Sequence, residues 1–395
     1  MLELVFAALF VVVIAWIVGH RSQLRLRVRL GIASAVVAVL ITGLYVVTKR
    51  FAGGLGAVTH LSDQFPWGIW IGFDLCAIAL AAGGFVLAAT VHIFHARRFE
   101  PILRPVVLTS FLAYLTVAAI LVLDLGRPYR FWHPLILWQP HSVMFEITLC
   151  LTFYSLILIV EFSPAVFERL RWHGVASVIR GLTLPVVIIG VILSTLHQSS
   201  FGSLFLIVPQ KLSPLWYTPI LPILFLVSAI AAGLATVIVE SHLCKVFLNQ
   251  QLPQPLLVDL GRLCSRLLLL YLLIKLGDVW WRGAWRVLPS TPWLASSFLF
   301  EVIGGIAVPA IWLGQPRANP RRLVTGAALV IGGVVLNRLN VSWLGILPYT
   351  GPIYVPSWME LASTMALALA SLLAFLGISR FLPVFPDPSP AGHDH

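Results

Sequence analysis

Apolar residues along this chain gather into eleven stretches, separated by shorter polar segments at 1–19, 30–48, 67–95, 105–123, 141–160, 178–196, 217–243, 260–279, 293–313, 323–336 and 358–381 as the stretches themselves are bounded. About twenty residues rising 1.5 Å each cross a hydrocarbon core of roughly 30 Å, so every stretch predicts a membrane-spanning helix. The fold class expected is therefore an all-α polytopic membrane protein of about 10–11 transmembrane helices. The stretch 1–19 lacks a basic n-region and a small-residue cleavage site, and it reads as a helix rather than a removable signal.

The linkers alternate in character. Those on one side are long and rich in Gly, Pro and aromatics: GGLGAVTHLSDQFPW, DLGRPYRFWHPLILWQPHS, HQSSFGSLFLIVPQKLSPLWY and LPYTGPIYVPSW. Such loops can roof a cavity or dock a partner. The linkers on the other side are short and basic, and sixteen Lys and Arg side chains face eight across the presumed bilayer. The richer side is expected to be cytoplasmic, which puts the N-terminus outside and the C-terminus inside a bacterial inner membrane. The Pro-rich tail 384–395 is expected to be disordered, and its histidines read as solvated rather than as metal ligands.

Composition narrows the class further. Hydrophobic residues make up 59% of the 395 positions and charged ones 10%, against roughly 25% charged in soluble domains. The net charge of +11 is dispersed over short linkers with no basic helix interleaved with aromatics, so nucleic acid is not an expected partner and membrane lipid is. Cys76, Cys150, Cys244 and Cys264 lie inside apolar stretches without C-x-x-C spacing, which indicates packing rather than a disulfide, zinc or iron-sulfur site.

The chemistry centres on FPWGIWIGFDLCAIALAAGGF, residues 65–85. Trp67 and Trp70 open an apolar helix that carries a carboxylate, Asp74, about two turns inside. A charge near the middle of a spanning helix costs roughly 2.5–3.5 kcal/mol, so it calls for a partner, a cavity or a pathway. A paired structural carboxylate would meet that need as well as a functional one. Ala81, Ala82, Gly83 and Gly84 then leave a smooth face for another helix or a flat ligand. Glu146 and His197 are expected at a depth comparable with Asp74, with His197 closing its helix and His141 beside them. Glu301 is a further member or the acidic half of an ion pair. Deeper, Tyr114, Glu240 and Arg104 could continue a proton path, or Tyr114 could simply pack while Glu240 pairs with Arg104. Lys275 and Asp278, spaced i, i+3, are expected to neutralise each other. Facing histidines could hold a b-type haem, but the outer ones stand at helix termini beside carboxylates and the inner ones, His92, His95 and His242, adjoin basic loops. Haem is therefore not expected. No metal site and no Walker, Rossmann or nucleophile-elbow motif is read.

With these residues in place, the chain resembles the polysulfide-reductase (NrfD-type) membrane subunits, most closely the HybB-type membrane subunit of quinone-reactive nickel-iron hydrogenases. The resemblance spans about 49–383 and rests on FPWGIWIGFDL, LRPVVLTSFLAYL, HSVMFE leading to EFSPAVFERL, LHQSSFGSL followed by LSPLWY, VIVES and YVPSWME, in one order. It implies two four-helix bundles with flanking helices, a menaquinone or ubiquinone site near the outer face, a ferredoxin-like iron-sulfur partner and no haem. The partners implied include hydrogenase large and small subunits or another redox subunit. By resemblance Asp74 borders the quinone pocket, and Arg104, Tyr114, Glu146, His197 and Glu240 match positions of proton transfer. The quinone site expected from the residues and the resemblance together comprises Trp67, Trp70, Asp74, His141, Glu146 and His197, with Asp74 also among the proton carriers. Residues 1–29 look additional to this pattern, which leaves 30–383 as the family-like domain. The function expected is quinone oxidoreduction without a redox centre of the chain's own, against the alternatives of a structural anchor and of a proton or ion transporter.

Overall fold

The computed structural model describes residues 26–248, 250, 253–315, 319–351 and 353–385. The predicted helix 1–19 and most of the tail lie outside the described residues. Ten long helices run in order: α1 Leu26–Gly53, α2 Ile69–Ile93, α3 Glu100–Asp124, α4 Val143–Arg169, α5 Thr183–Leu204, α6 Leu221–Leu243, α7 Gln254–Trp281, α8 Pro292–Leu313, α9 Pro320–Leu339 and α10 Trp358–Phe381. Nine of these segments are apolar enough to cross a membrane. The remaining one, α7, carries Asp259, Arg262, Arg266, Lys275 and Asp278 over 28 residues and packs along α6 and α8. The chain is thus a multi-pass, all-helical integral membrane protein, with no strand among the described residues.

Packing divides the helices as expected. α2, α3, α4 and α5 contact one another in a closed ring, and α6, α7, α8 and α9 form a second. The two bundles meet where α6 lies against α2 and α5 and α9 against α2, while α1 packs on α10 and α10 on α3. The smooth stretch of α2 is what permits this junction. An added Cβ at Gly233 of α6 would stand 2.3 Å from the Gly83 nitrogen, so the two backbones touch and only glycine fits. The face at Ala81–Gly84 is therefore taken by another helix. Gly233→Ala is expected to lower the stability of the detergent-solubilised protein by about 1–3 kcal/mol, the range for overpacking. Gly332→Ala, with nothing within 4 Å of its added Cβ, is the matched control and should unfold with the parent in a thermal scan.

One end of the molecule holds the long linkers and is called here the loop-rich end; the other carries Arg97, Arg98, Arg169 and Arg171 and is called the basic end. Two side chains just past the ends of the apolar stretches 30–48 and 323–336, and so counted among the eight on the poorer side, are instead buried. Arg50 is 2% exposed and donates to the Leu123 and Leu125 carbonyls, at 2.6 and 2.5 Å, capping the end of α3. Arg338 is 1% exposed inside α9, where it donates to the Phe225 carbonyl and Ser228 Oγ of α6 and lies 3.7 Å over the Phe225 ring. Both terminate apolar runs, and a hydropathy window assigns such residues to the linker although the helix continues.

The expected Lys275–Asp278 pair does not form. Lys275 of α7 pairs with Glu301 of α8, and Asp278 binds Arg282 one turn further on and accepts from Thr218 Oγ1 at 2.8 Å. An i, i+3 spacing brings two side chains near each other but does not outweigh a buried partner on the next helix. Glu301 also accepts from Trp216 Nε1 at 2.8 Å and from Asn337 and Asn340, each at 2.9 Å. It sits on a π-helical stretch, Phe300–Ala307, a wider turn of the kind found at functional or specially packed positions. The centre of the second bundle is thus a closed polar network.

Candidate functional site

The beginning of α2 is held by the segment after α9. Tyr354 accepts from the Ile69 nitrogen at 3.0 Å, donates to Glu360 Oε1 at 2.5 Å and stacks on Phe65 at 4.6 Å. Burial, with the Glu360 charge beside it, pushes its phenol above the ordinary tyrosine range, so it stays a neutral donor. Glu360 completes a capping box with Ser357 at the start of α10. Trp70 is also committed here, its indole nitrogen donating to the Glu360 carbonyl and to Ser363 Oγ, each at 3.2 Å. This clamp sets the rotation of α2.

One turn beyond Trp70, Asp74 is 0% exposed, and neither of its oxygens has a hydrogen-bond partner in the protein. Asp124, at the end of α3 and within Coulombic reach, has one buried oxygen in the same condition. Glu360 and Arg50 are further charged neighbours of Asp124. Gln198 Nε2 of α5 donates to the Ile78 carbonyl at 2.8 Å, one turn past Asp74, so the α5 segment with His197 lies against the α2 segment with Asp74.

His197 is 0% exposed with both ring nitrogens unpartnered. Its ring stands edge-on to Tyr114 at 5.6 Å and near Phe201 at 4.8 Å. Tyr114 in turn meets Tyr154 of α4 edge-on at 4.6 Å. Both phenols and the nearby Ser194 hydroxyl are buried without meeting hydrogen-bond geometry. His197 does not close its helix as expected: α5 runs on to Leu204. The polar run QSSFGS looks like a helix end, but Ser199, Ser200 and Ser203 bond back to carbonyls four residues earlier and stay helical.

The other expected residues are more scattered. Glu146 is half-buried in the first turn of α4 and His141 is exposed just before it. Trp67 is half-buried, edge-on to Phe205 at 5.5 Å, and lines a cleft at the loop-rich end with Gln64, Val208 and Lys211. Glu240 of α6 does not pair with Arg104; one oxygen accepts from Thr109 Oγ1 at 2.8 Å and the other is buried without a partner. Arg104 is held at the basic end by Glu168, at 3.0 Å, and by the Pro383 carbonyl. Tyr154, Ser194 and Asp124 are open groups that hydropathy reading passes over, as is Glu161 two turns beyond Tyr154 and away from the site. Among the described residues, no buried polar side chain without a partner lies on α7, α8 or α9; they lie on α2 to α6, with Ser379 on α10. The first bundle, with Glu240 of α6 at its border, therefore offers open protonatable groups, while α7, α8 and α9 satisfy their own.

The family described as "Polysulphide reductase, NrfD" matches residues 57–348. A protein of Nitratidesulfovibrio vulgaris (strain Hildenborough) is 38% identical, covering 88% of this chain and 92% of that protein. The menaquinone reductase integral membrane subunit of the same organism is 32% identical, covering 87% and 89%. The probable Ni/Fe-hydrogenase 2 b-type cytochrome subunit of Escherichia coli (strain K12) is 30% identical, covering 86% and 88%.

That last name corrects the expectation of no haem, because a b-type cytochrome is a haem protein and the name points to haem. Of the histidines described here, His197 alone is fully buried, and its open nitrogens offer one axial ligand. Its ring neighbours are Tyr114 and Phe201 rather than a second histidine, so the residues present do not complete a bis-histidine pair. Among the described residues no group of three or more His, Cys, Asp or Glu is placed to hold a metal ion.

Proposed function

Because this chain belongs to the polysulphide reductase (NrfD) family, we propose that it is the quinone-binding membrane subunit of a respiratory oxidoreductase complex. Electrons pass between an iron-sulfur partner at the loop-rich face and the quinone pool. The observation that carries this reading is Asp74: a fully buried carboxylate, unpartnered, on the α2 segment against which the His197-bearing segment of α5 packs, in the bundle that leaves its polar groups open. Quinone and quinol interconvert by two electrons and two protons, so a site of this kind needs proton carriers in apolar surroundings, which Asp74, His197 and Tyr114 are suited to be. Trp67, Glu146 and His141 mark the loop-rich approach, and Glu240 and Arg104 lie toward the basic end.

A nickel-iron hydrogenase is the donor that the name of the Escherichia coli relative favours, reaching this chain through a ferredoxin-like iron-sulfur subunit in this reading. The basic end faces the cytoplasm in this reading. Taking the buried Arg50 and Arg338 out of the linker count leaves sixteen basic residues against six, which supports that orientation. An anchoring role is the second reading, favoured by the closed network around Glu301, and it describes the second bundle better than the first.

A photoreactive quinone analogue on the purified complex tests the proposal. Labelling should map to α2 and α5 near Asp74 and His197 and disappear with excess quinone. Labelling confined to lipid-facing positions, unchanged by quinone, would point to the anchor.

A further inference from the structure

Three residues on α4 lie seven apart: Tyr154, Glu161 and Glu168. A seven-residue step is close to two helical turns, so they form one stripe with about 10.5 Å between members. The stripe begins at the open site, where Tyr154 meets Tyr114 at 4.6 Å and Tyr114 meets His197 at 5.6 Å. It continues to Glu161, whose Oε1 is buried without a hydrogen-bond partner. It ends at Glu168, which reaches the surface of the basic end and binds Arg104 and Arg180 at 3.0 and 2.5 Å. Arg104 thus stands at the outlet of the stripe rather than beside Glu240, and Thr109 already holds one oxygen of Glu240.

We propose that Tyr154 and Glu161 carry a hydrated proton file down the first bundle, joining His197 and Tyr114 to the basic end at Glu168 and Arg104. Unpartnered buried hydroxyl and carboxyl groups are the sites that ordered water occupies. Each carrier accepts a proton on one side and releases one on the other. The Glu161 carboxyl takes a proton on one oxygen and gives one up to the next water, and no carrier changes its net charge over a cycle. The file's use in quinone turnover rests on the proposed function; its hydration does not.

Two measurements on the purified complex test this. In the first, vibrational bands of the Glu161 carboxyl and the Tyr154 phenol, identified by their loss in Glu161→Gln and Tyr154→Phe, are followed after transfer to heavy water. Rapid exchange is expected, and exchange as slow as that of the helix-core amides would overturn the proposal. In the second, proton movement linked to quinone turnover is recorded in proteoliposomes. Glu161→Gln should slow it by about tenfold or more, with Glu161→Asp restoring part and quinone-analogue labelling unchanged. Parent-like proton movement in both Glu161→Gln and Tyr154→Phe would also overturn it. Fast exchange in a parent that takes no quinone label would leave the file standing and refute the quinone reading instead.

Discussion

Glu301→Gln is expected to destabilise the protein by roughly 3–5 kcal/mol, because it leaves the Lys275 ammonium buried with no charge opposite it. Lys275 is 3% exposed and Glu301 1%, so water does not reach in to replace the lost partner. Glutamine keeps the shape, but its single carbonyl serves Trp216 and Asn340 on the Oε2 side only and turns an amide N–H2 toward Lys275 and Asn337, so the loss includes that pair of accepted hydrogen bonds as well as the charge. Adding Lys275→Met to Glu301→Gln removes the stranded charge and should recover most of the stability. Thermal unfolding in detergent, followed by the monodisperse fraction remaining, measures both. A single mutant as stable as the parent would mean that the network in the second bundle is not the ionic core described here.

Asp74→Asn is expected to act in the opposite sense on stability and to lose function. Its carboxylate receives no hydrogen bond from the protein, so the charge is not compensated as Glu301 is. Replacing it with a neutral isostere removes a burial cost and should leave the assembled complex as stable as the parent or more so. Donor-driven quinone turnover should fall by about 10²–10⁴-fold, the contribution typical of a positioned proton carrier. Turnover in proteoliposomes and the thermal midpoint, measured on the same preparation, separate this from a structural role. A structural carboxylate would lower the midpoint and spare the residual rate.

The contrast between these two carboxylates was only half legible in the sequence. Periodicity located the ten long helices that the structure describes, and the family motifs implied the division into two bundles that the packing shows. Asp74 could be singled out because a lone charge in an apolar helix is costly wherever it faces. Its lack of a partner could not, since that depends on how α3 and α5 are rotated against α2. Lys275 misled for the same reason: a local partner three residues away was visible, whereas Glu301 on the next helix was not. Arg50, Arg338 and His197 were misplaced because averaged hydropathy ends a helix where polar residues begin, although serine hydroxyls and buried guanidiniums can carry it further. The stripe of Tyr154, Glu161 and Glu168 was present in the spacing, but a window that averages over about twenty residues hides one polar position in seven.

The central claim is that the first bundle, at Asp74, holds quinone. Its most direct test is the quinone retained per membrane subunit when the complex is purified, extracted and quantified for the parent and for Asp74→Leu. The account predicts stoichiometric quinone in the parent and its loss in Asp74→Leu, with the complex still assembled. Equal quinone in both, or none in a parent that turns over, would contradict it.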